Sequence, residues 1–288
     1  MTPLVVEIES HNEHSIFSTL FIPKKSNSRS IVISSATGVL QNYYSKFATY
    51  FCSLGFTVYT FDYSGIGLSH SKTIKNNTSN LYDWANNQAH VLQYVNKQNP
   101  KHKIILITHS IGGQLIAFNH NIELVDSIIT VASQSGYWNM FNGFNKLKMY
   151  LFWNLIIPAT IPFFGYFPAK KLKLFENLPK QVTYQWRQWG NKKNYFLHYA
   201  KKEDLVLDKI NCSMLILSFP KDEFAPKRTV DWLANIFKNA KVDRRHILPE
   251  EIDSPNIGHF GFFRERFESS LWQLTHDWIN IHLDSKNT

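Results

Sequence analysis

The chain has 288 residues, 44% apolar and 18% charged, which is enough to bury a sizeable core and excludes disordered, collagen-like and disulfide-stapled classes. Its net charge of +9 is uneven: residues 137–210 hold twelve basic and four acidic side chains, and 18 of the 43 aromatics. The remainder is nearly neutral, so this segment is set apart by composition, and its lysines come with no nucleic-acid-binding motif.

Cys52 and Cys212 lie far apart, each inside a regular-looking stretch, and are expected to be free thiols in a reducing compartment. No CxxC or HExxH occurs, so no metal site and no cofactor is expected. Met1 to Glu9 lacks the basic-then-apolar pattern of a signal peptide, and the expected location is cytoplasmic.

In chain order, Leu4–Ile8 and Ser15–Ile22 alternate and read as a hairpin around His11–His14. Ser30–Ser34 is a continuous apolar strand, followed by Ser35-Ala36-Thr37-Gly38. Tyr43, Phe47, Phe51 and Leu54 then fall at helical spacing, with Gly55 as a stop. Phe56–Phe61 is a strand running into a glycine-containing loop, Asp62 to Ser69, and Lys72–Ser79 is polar loop. Leu81–Lys97 is a helix ended by Asn99-Pro100, and strands follow at Ile104–Ile107 and Val125–Ala132. The alternation stops at Tyr137 and resumes at Met214–Leu217, with a helix at 230–237, a strand at 246–248 and a helix at 263–281. Alternating strands and helices indicate an α/β fold with a mostly parallel sheet covered on both faces. Residues 1–136 and 211–288 form its core, and 137–210 are an insertion between consecutive strands. Within the insertion, Met149–Pro168 is apolar for the length of a membrane span, but Pro158, Pro162, Gly165 and Pro168 are expected to break it into a lid helix and an irregular loop.

Between the strand Ile104–Ile107 and the helical spacing from Gly113 lies Thr108-His109-Ser110-Ile111-Gly112. A serine at the apex of a sharp strand-to-helix turn projects its hydroxyl above the sheet edge, and the crossing segments need small neighbours. This resembles the G-x-S-x-G nucleophile elbow of the α/β-hydrolases, with Thr108 in place of the first glycine. Read without the resemblance, it is an ordinary turn with a capping serine. The β-branched Thr108 is expected to open the crossing slightly and to bond its hydroxyl to nearby backbone. His109 is expected to point away from the active face.

A serine nucleophile needs a histidine to take its proton and a carboxylate to orient that histidine. The resemblance implies that both follow the serine on loops after later strands. It nominates Asp222 in Phe219-Pro220-Lys221-Asp222-Glu223-Phe224-Ala225-Pro226, with Glu223 as local competitor, and His259 in Asn256-Ile257-Gly258-His259. For the oxyanion hole it nominates the backbone N–H of Ile111 and that of Ala36, the latter in the place of the family's H-G-x-x-G loop. Asp62 to Ser69 resembles the D-x-R-G-x-G-x-S loop of the branch holding serine aminopeptidases and monoacylglycerol lipases, with Ser64 for the arginine. The insertion then stands where that branch has its cap.

The resemblance implies hydrolysis of a carboxylic ester through an acyl-serine, on a small-molecule ester or lipid-like substrate with an apolar acyl group. An acyltransferase using the same three residues and an inactive binding protein are the alternatives. No nucleic-acid partner is expected. The basic, aromatic insertion suits peripheral contact with an anionic membrane, a solvated basic face being the plainer alternative. The oligomeric state is not readable.

Overall fold

The computed structural model describes residues 2–10, 15–70, 73–252, 254 and 256–284. Strands β1 (Leu4–Ile8) and β2 (Ile16–Phe21) form the hairpin, antiparallel from Leu4 opposite Leu20 to Ile8 opposite Ile16. The turn at His11–His14 and Lys72, the first residue of the polar loop read from the sequence, lie outside the described residues. Then follow β3 (Arg29–Ser34), β4 (Thr57–Phe61), β5 (Lys103–His109), β6 (Ser127–Val131), β7 (Ser213–Ser218) and β8 (Lys241–His246). Among the described residues these make one eight-stranded sheet in the order β1-β2-β4-β3-β5-β6-β7-β8. β2 pairs antiparallel with β4, and from β4 to β8 every pairing is parallel.

The central strands β4, β6 and β7 are buried at every position, as their unbroken apolar runs require of a sheet covered on both faces. β8 departs from the sequence reading, which placed a strand at residues 246–248. Lys241-Val242-Asp243-Arg244-Arg245-His246 is a half-exposed edge whose charges discourage pairing with another chain, so it carries no apolar run to reveal it. Ile247 and Leu248 follow its end, Ile247 donating its N–H to the Ser218 carbonyl.

Helix α1 (Ser45–Ser53) packs through Phe47 and Phe51 on Trp272 and His276 near the C-terminus. Helix α2 (Leu81–Gln98) starts at a capping box in which Asn80 and Asp83 exchange bonds. It packs on α3 (Ile111–Leu115), where the Tyr82 ring meets Phe118 just beyond. The order reverses at β3, which has β4 on one side and β5 on the other. In open α/β sheets, ligands bind at the carboxyl ends of the strands flanking such a reversal. Ser110 follows β5 and Ala36 follows β3, so the sheet delivers both to that point.

Residues 132–212 connect the adjacent strands β6 and β7. They hold α4 (Gly143–Leu151), a π-helical turn (Phe152–Ile156), α5 (Ile157–Phe164) and α6 (Lys180–Gly190). Contrary to expectation, the prolines do not break the helix, which runs unbroken from Gly143 to Phe164. In the π turn the Ile157 N–H reaches the Phe152 carbonyl, so Pro158 falls where the Trp153 carbonyl would take the next bond. Arg187 Nε supplies that bond instead, at 2.6 Å. The Thr160 hydroxyl donates to the Ile156 carbonyl at 2.7 Å. The Arg187 side chain therefore replaces the N–H that Pro158 lacks.

Helix α7 (Lys227–Ala234) begins three residues before the apolar spacing suggested. The C-terminal helix is also not the single segment 263–281. A short α8 (Gly258–Gly261) is followed by Arg264 in extended conformation, then a π turn (Glu268–Trp272) and α9 (Gln273–Asp284). His259 thus lies within the short α8, ahead of the interruption.

Candidate active site

The elbow takes the sharp form its sequence suggests. Ser110 has φ +52° and ψ −112°, a conformation costing a non-glycine residue roughly 1–3 kcal/mol. Its N–H is anchored to the Val131 carbonyl at 3.0 Å. The following helix crosses close to the sheet: a Cβ on Gly112 would stand 2.8 Å from the Ser34 carbonyl oxygen. A Cβ on Gly113 would stand 2.3 Å from Ser133 Oγ and 3.0 Å from Thr108 Oγ1. The room a glycine at 108 would give is thus returned by Gly113. Thr108 Oγ1 does not bond to backbone as expected; it is buried without a partner, as is Ser133 Oγ.

Beneath the elbow lies a buried polar network. Gln88 Nε2 donates to Ser34 Oγ at 2.7 Å and to the Gly112 carbonyl at 3.1 Å, while Asn119 Nδ2 donates to Gln88 Oε1 at 2.8 Å. Gln88 lies on the buried face of α2 with Trp84, Ala85 and Leu92, where a glutamine always needs partners.

Asp222 and His259 are brought together. His259 Nδ1 lies 2.9 Å and 3.1 Å from the two Asp222 oxygens, and both residues are buried. Asp222 Oδ1 also accepts the N–H groups of Phe224 at 2.9 Å and Ala225 at 2.8 Å, which fixes the carboxylate. An ionised carboxylate only accepts, so the proton sits on His259 Nδ1 and leaves Nε2 as the basic nitrogen. Glu223 instead faces solvent and pairs with Lys148 of the insertion at 3.2 Å. Gly258, at φ +63°, supplies the left-handed turn just before the histidine.

His109 packs against His259, their ring centroids 5.1 Å apart. It is fully buried, and its Nε2 lies 3.0 Å from the His259 carbonyl oxygen, so Nε2 is the donor. Nδ1 must then accept, and the Tyr44 hydroxyl, 2.9 Å away, must donate to it. The Tyr44 oxygen in turn accepts the Ala36 N–H at 2.9 Å. One chain of bonds therefore ties the loop after β3, the elbow and the His259 loop together. Burial, reinforced by the neighbouring His259, pushes the His109 pKa well below its ordinary value and keeps the ring neutral. Burial likewise pushes the Tyr44 phenol well up.

This chain corrects the reading of Ala36. Its N–H is spent on Tyr44 and is not available to an oxyanion. Ile111 opens α3, so its N–H has no intrahelical acceptor. Thr37, next along the loop from Ala36, is buried with its hydroxyl unpartnered.

Asp62 organises the neighbouring loop. It accepts from the Gln41 N–H at 2.8 Å, Gln41 Nε2 at 2.9 Å and the Leu68 N–H at 3.0 Å. Burial raises its pKa, the donated bonds opposing. The insertion closes over these loops: the Glu176 N–H meets the Gly38 carbonyl at 2.9 Å, and Tyr195 Oη donates to Gln114 Oε1 at 2.9 Å. Trp189 is buried among Phe118, Tyr195 and Phe196, so it packs the insertion onto the core. Cys52 and Cys212 are not disulfide-bonded. Among the described residues no cluster of potential metal ligands occurs.

A mostly parallel sheet with a strained serine at its reversal point defines an α/β-hydrolase. The chain belongs to the serine aminopeptidase, S33, family, whose pattern matches residues 26–180. No curated protein matches its sequence. Among solved structures it is similar to a carboxyl esterase from Bacillus coagulans, in complex with glycerol, with 11% identity over 98% of this chain and 99% of that one and a TM-score of 0.68. It is also similar to Est1E from Butyrivibrio proteoclasticus with ferulic acid bound, at 15% identity, 97% and 99% coverage and a TM-score of 0.64. Alpha/beta hydrolase domain-containing protein 10 from mouse aligns at 16% identity, 96% and 98% coverage and a TM-score of 0.61. At these identities the likeness is one of fold.

Proposed function

We propose that the protein hydrolyses carboxylic esters with apolar acyl groups through an acyl-Ser110 intermediate. The observation that carries this is the Asp222–His259 pair, tied to the elbow by the His109–His259 bond, with Ser110 in the strained turn conformation of a nucleophile. Ser110 Oγ bonds the carbonyl carbon while its proton passes to His259 Nε2 and the π electrons move to the carbonyl oxygen. The Ile111 N–H meets that oxyanion, and we assign the second donor to Thr37 in place of Ala36. Collapse expels the alcohol, which leaves with the proton from His259. Water then repeats the sequence, freeing the acid and returning the proton to Ser110.

An apolar acyl group suits the aromatic surroundings. The Phe224 ring lies 5.3 Å from that of His259, and Phe175 lies against Gly38. Esterase-like structures of the same fold and the hydrolase family support the reaction class. The test compares p-nitrophenyl butyrate with an aminoacyl p-nitroanilide. Ester turnover, lost by about 10⁴-fold or more in Ser110→Ala with the fold intact, is expected. Turnover of the amide alone would overturn the ester reading, and full activity in Ser110→Ala would overturn the mechanism.

A further inference from the structure

The outer face of the insertion helix serves neither the core nor the site. Over the 22 residues Gly143–Phe164, Trp153, Ile157 and Ile161 are buried at four-residue intervals, the π turn keeping them in line. Phe144, Leu147, Leu151, Leu155 and Phe163 follow at intervals of three, four, four and eight, which places them on a second stripe. All five are exposed; Phe144 keeps 70%, Leu155 58% and Phe163 86% of its surface in solvent. Leu172 and Leu174, just beyond the helix, are exposed as well.

Lysines flank this stripe. Lys148 Nζ lies 5.1 Å over the Phe144 ring and Lys171 Nζ 4.7 Å over Phe164. Lys148 and Lys170 pair with Glu223 and Glu176. Lys146, Lys171 and Lys173 have no carboxylate partner among the described residues. A convex apolar stripe rimmed by unneutralised lysines matches the boundary between anionic headgroups and acyl chains. It matches a second copy of itself poorly, because an isologous pairing would oppose like charges in a segment with twelve basic and four acidic residues. Crossing a bilayer is opposed by the buried side of the helix, where Trp153 Nε1 is bonded to the Gly136 carbonyl at 3.0 Å.

We propose that this face docks the protein on the surface of an anionic lipid bilayer, with the stripe in the acyl boundary and the lysines on the headgroups. The inference goes beyond the ester reading and does not need it, since binding is read on the intact protein without turnover. The test is co-sedimentation with phosphatidylcholine vesicles with and without about a third phosphatidylserine. Pelleting that depends on phosphatidylserine and weakens with salt is expected. Phe144→Ser/Leu155→Ser/Phe163→Ser should weaken it by about 100-fold, since three large apolar side chains lose their burial. Lys171→Glu/Lys173→Glu should weaken it by more than about tenfold. These side chains are exposed, so an unchanged melting temperature certifies the variants. Absence of pelleting, equal binding to neutral vesicles, or parental binding by the triple variant would overturn the proposal. A dimer in light scattering that disappears in the triple variant, without vesicle binding, would assign the face to a second copy instead.

Discussion

Replacing Tyr44 by phenylalanine removes a single oxygen at the middle of the chain of bonds from Ala36 to His259. The ring and its edge-on contact with Phe263 stay, so no cavity opens. Two buried groups lose their partners: the Ala36 N–H loses its acceptor and His109 Nδ1 its donor. A buried polar group left unpaired costs about 1–3 kcal/mol, so the expected loss of stability for the two is about 2–6 kcal/mol. At about 2–4 °C per kcal/mol for a large domain, that corresponds to a melting temperature lower by roughly 4–24 °C. Function should suffer separately, because His109 is no longer locked with Nε2–H toward the His259 carbonyl. A shift of the His259 loop by a fraction of an ångström is expected to lower kcat by about 10–100-fold with KM little changed. Thermal melts by circular dichroism and p-nitrophenyl ester kinetics on Tyr44→Phe read the two effects. A variant that melts within a degree of the parent and keeps its kcat would refute the reasoning.

Asp222→Asn should lower kcat by about 10⁴-fold by reversing the His259 tautomer. Glu223→Gln should leave it near the parental value, since an exposed pair with Lys148 contributes at most about 1 kcal/mol; ester kinetics on both decide. Thr108→Val should be neutral or slightly stabilising in urea melts, because the hydroxyl it removes is buried without a partner. A loss above about 1 kcal/mol would show that the hydroxyl is bonded after all. His109 stays neutral when folded and protonates near pH 6.5 when unfolded, so below about pH 6.5 the unfolded state binds the extra proton. Its contribution is therefore full above that pH and falls as pH drops, by at most about 1.4 kcal/mol per unit, and urea melts of wild type and His109→Asn between pH 7 and about 5 should differ by that slope.

The parallel core was legible because β4 to β7, apart from Lys103 at the start of β5, are buried and mostly apolar. β8 was not, since an edge strand needs charge more than apolar pattern. The strained turn at Ser110 and the pairing of Asp222 with His259 were legible because chain order and turn chemistry constrain them. Ala36 was misassigned because its competitor for the N–H, Tyr44, precedes α1 beside the stripe read from Tyr43, and its hydroxyl meets Ala36 only in three dimensions. The same blindness hid Gln88 and the way Gly113 makes room for Thr108. Pro158 misled for a related reason: the bond it cannot make is supplied by Arg187, remote in sequence.

The central claim is that Ser110 is an activated nucleophile. Treating the folded protein with a fluorophosphonate probe and mapping the adduct by mass spectrometry tests it directly, since phosphonylation needs an activated hydroxyl. The expected result is one adduct on Ser110, abolished in Ser110→Ala and strongly reduced in His259→Ala. An unlabelled wild type that is demonstrably folded, or an adduct on another serine that persists in Ser110→Ala, would contradict it.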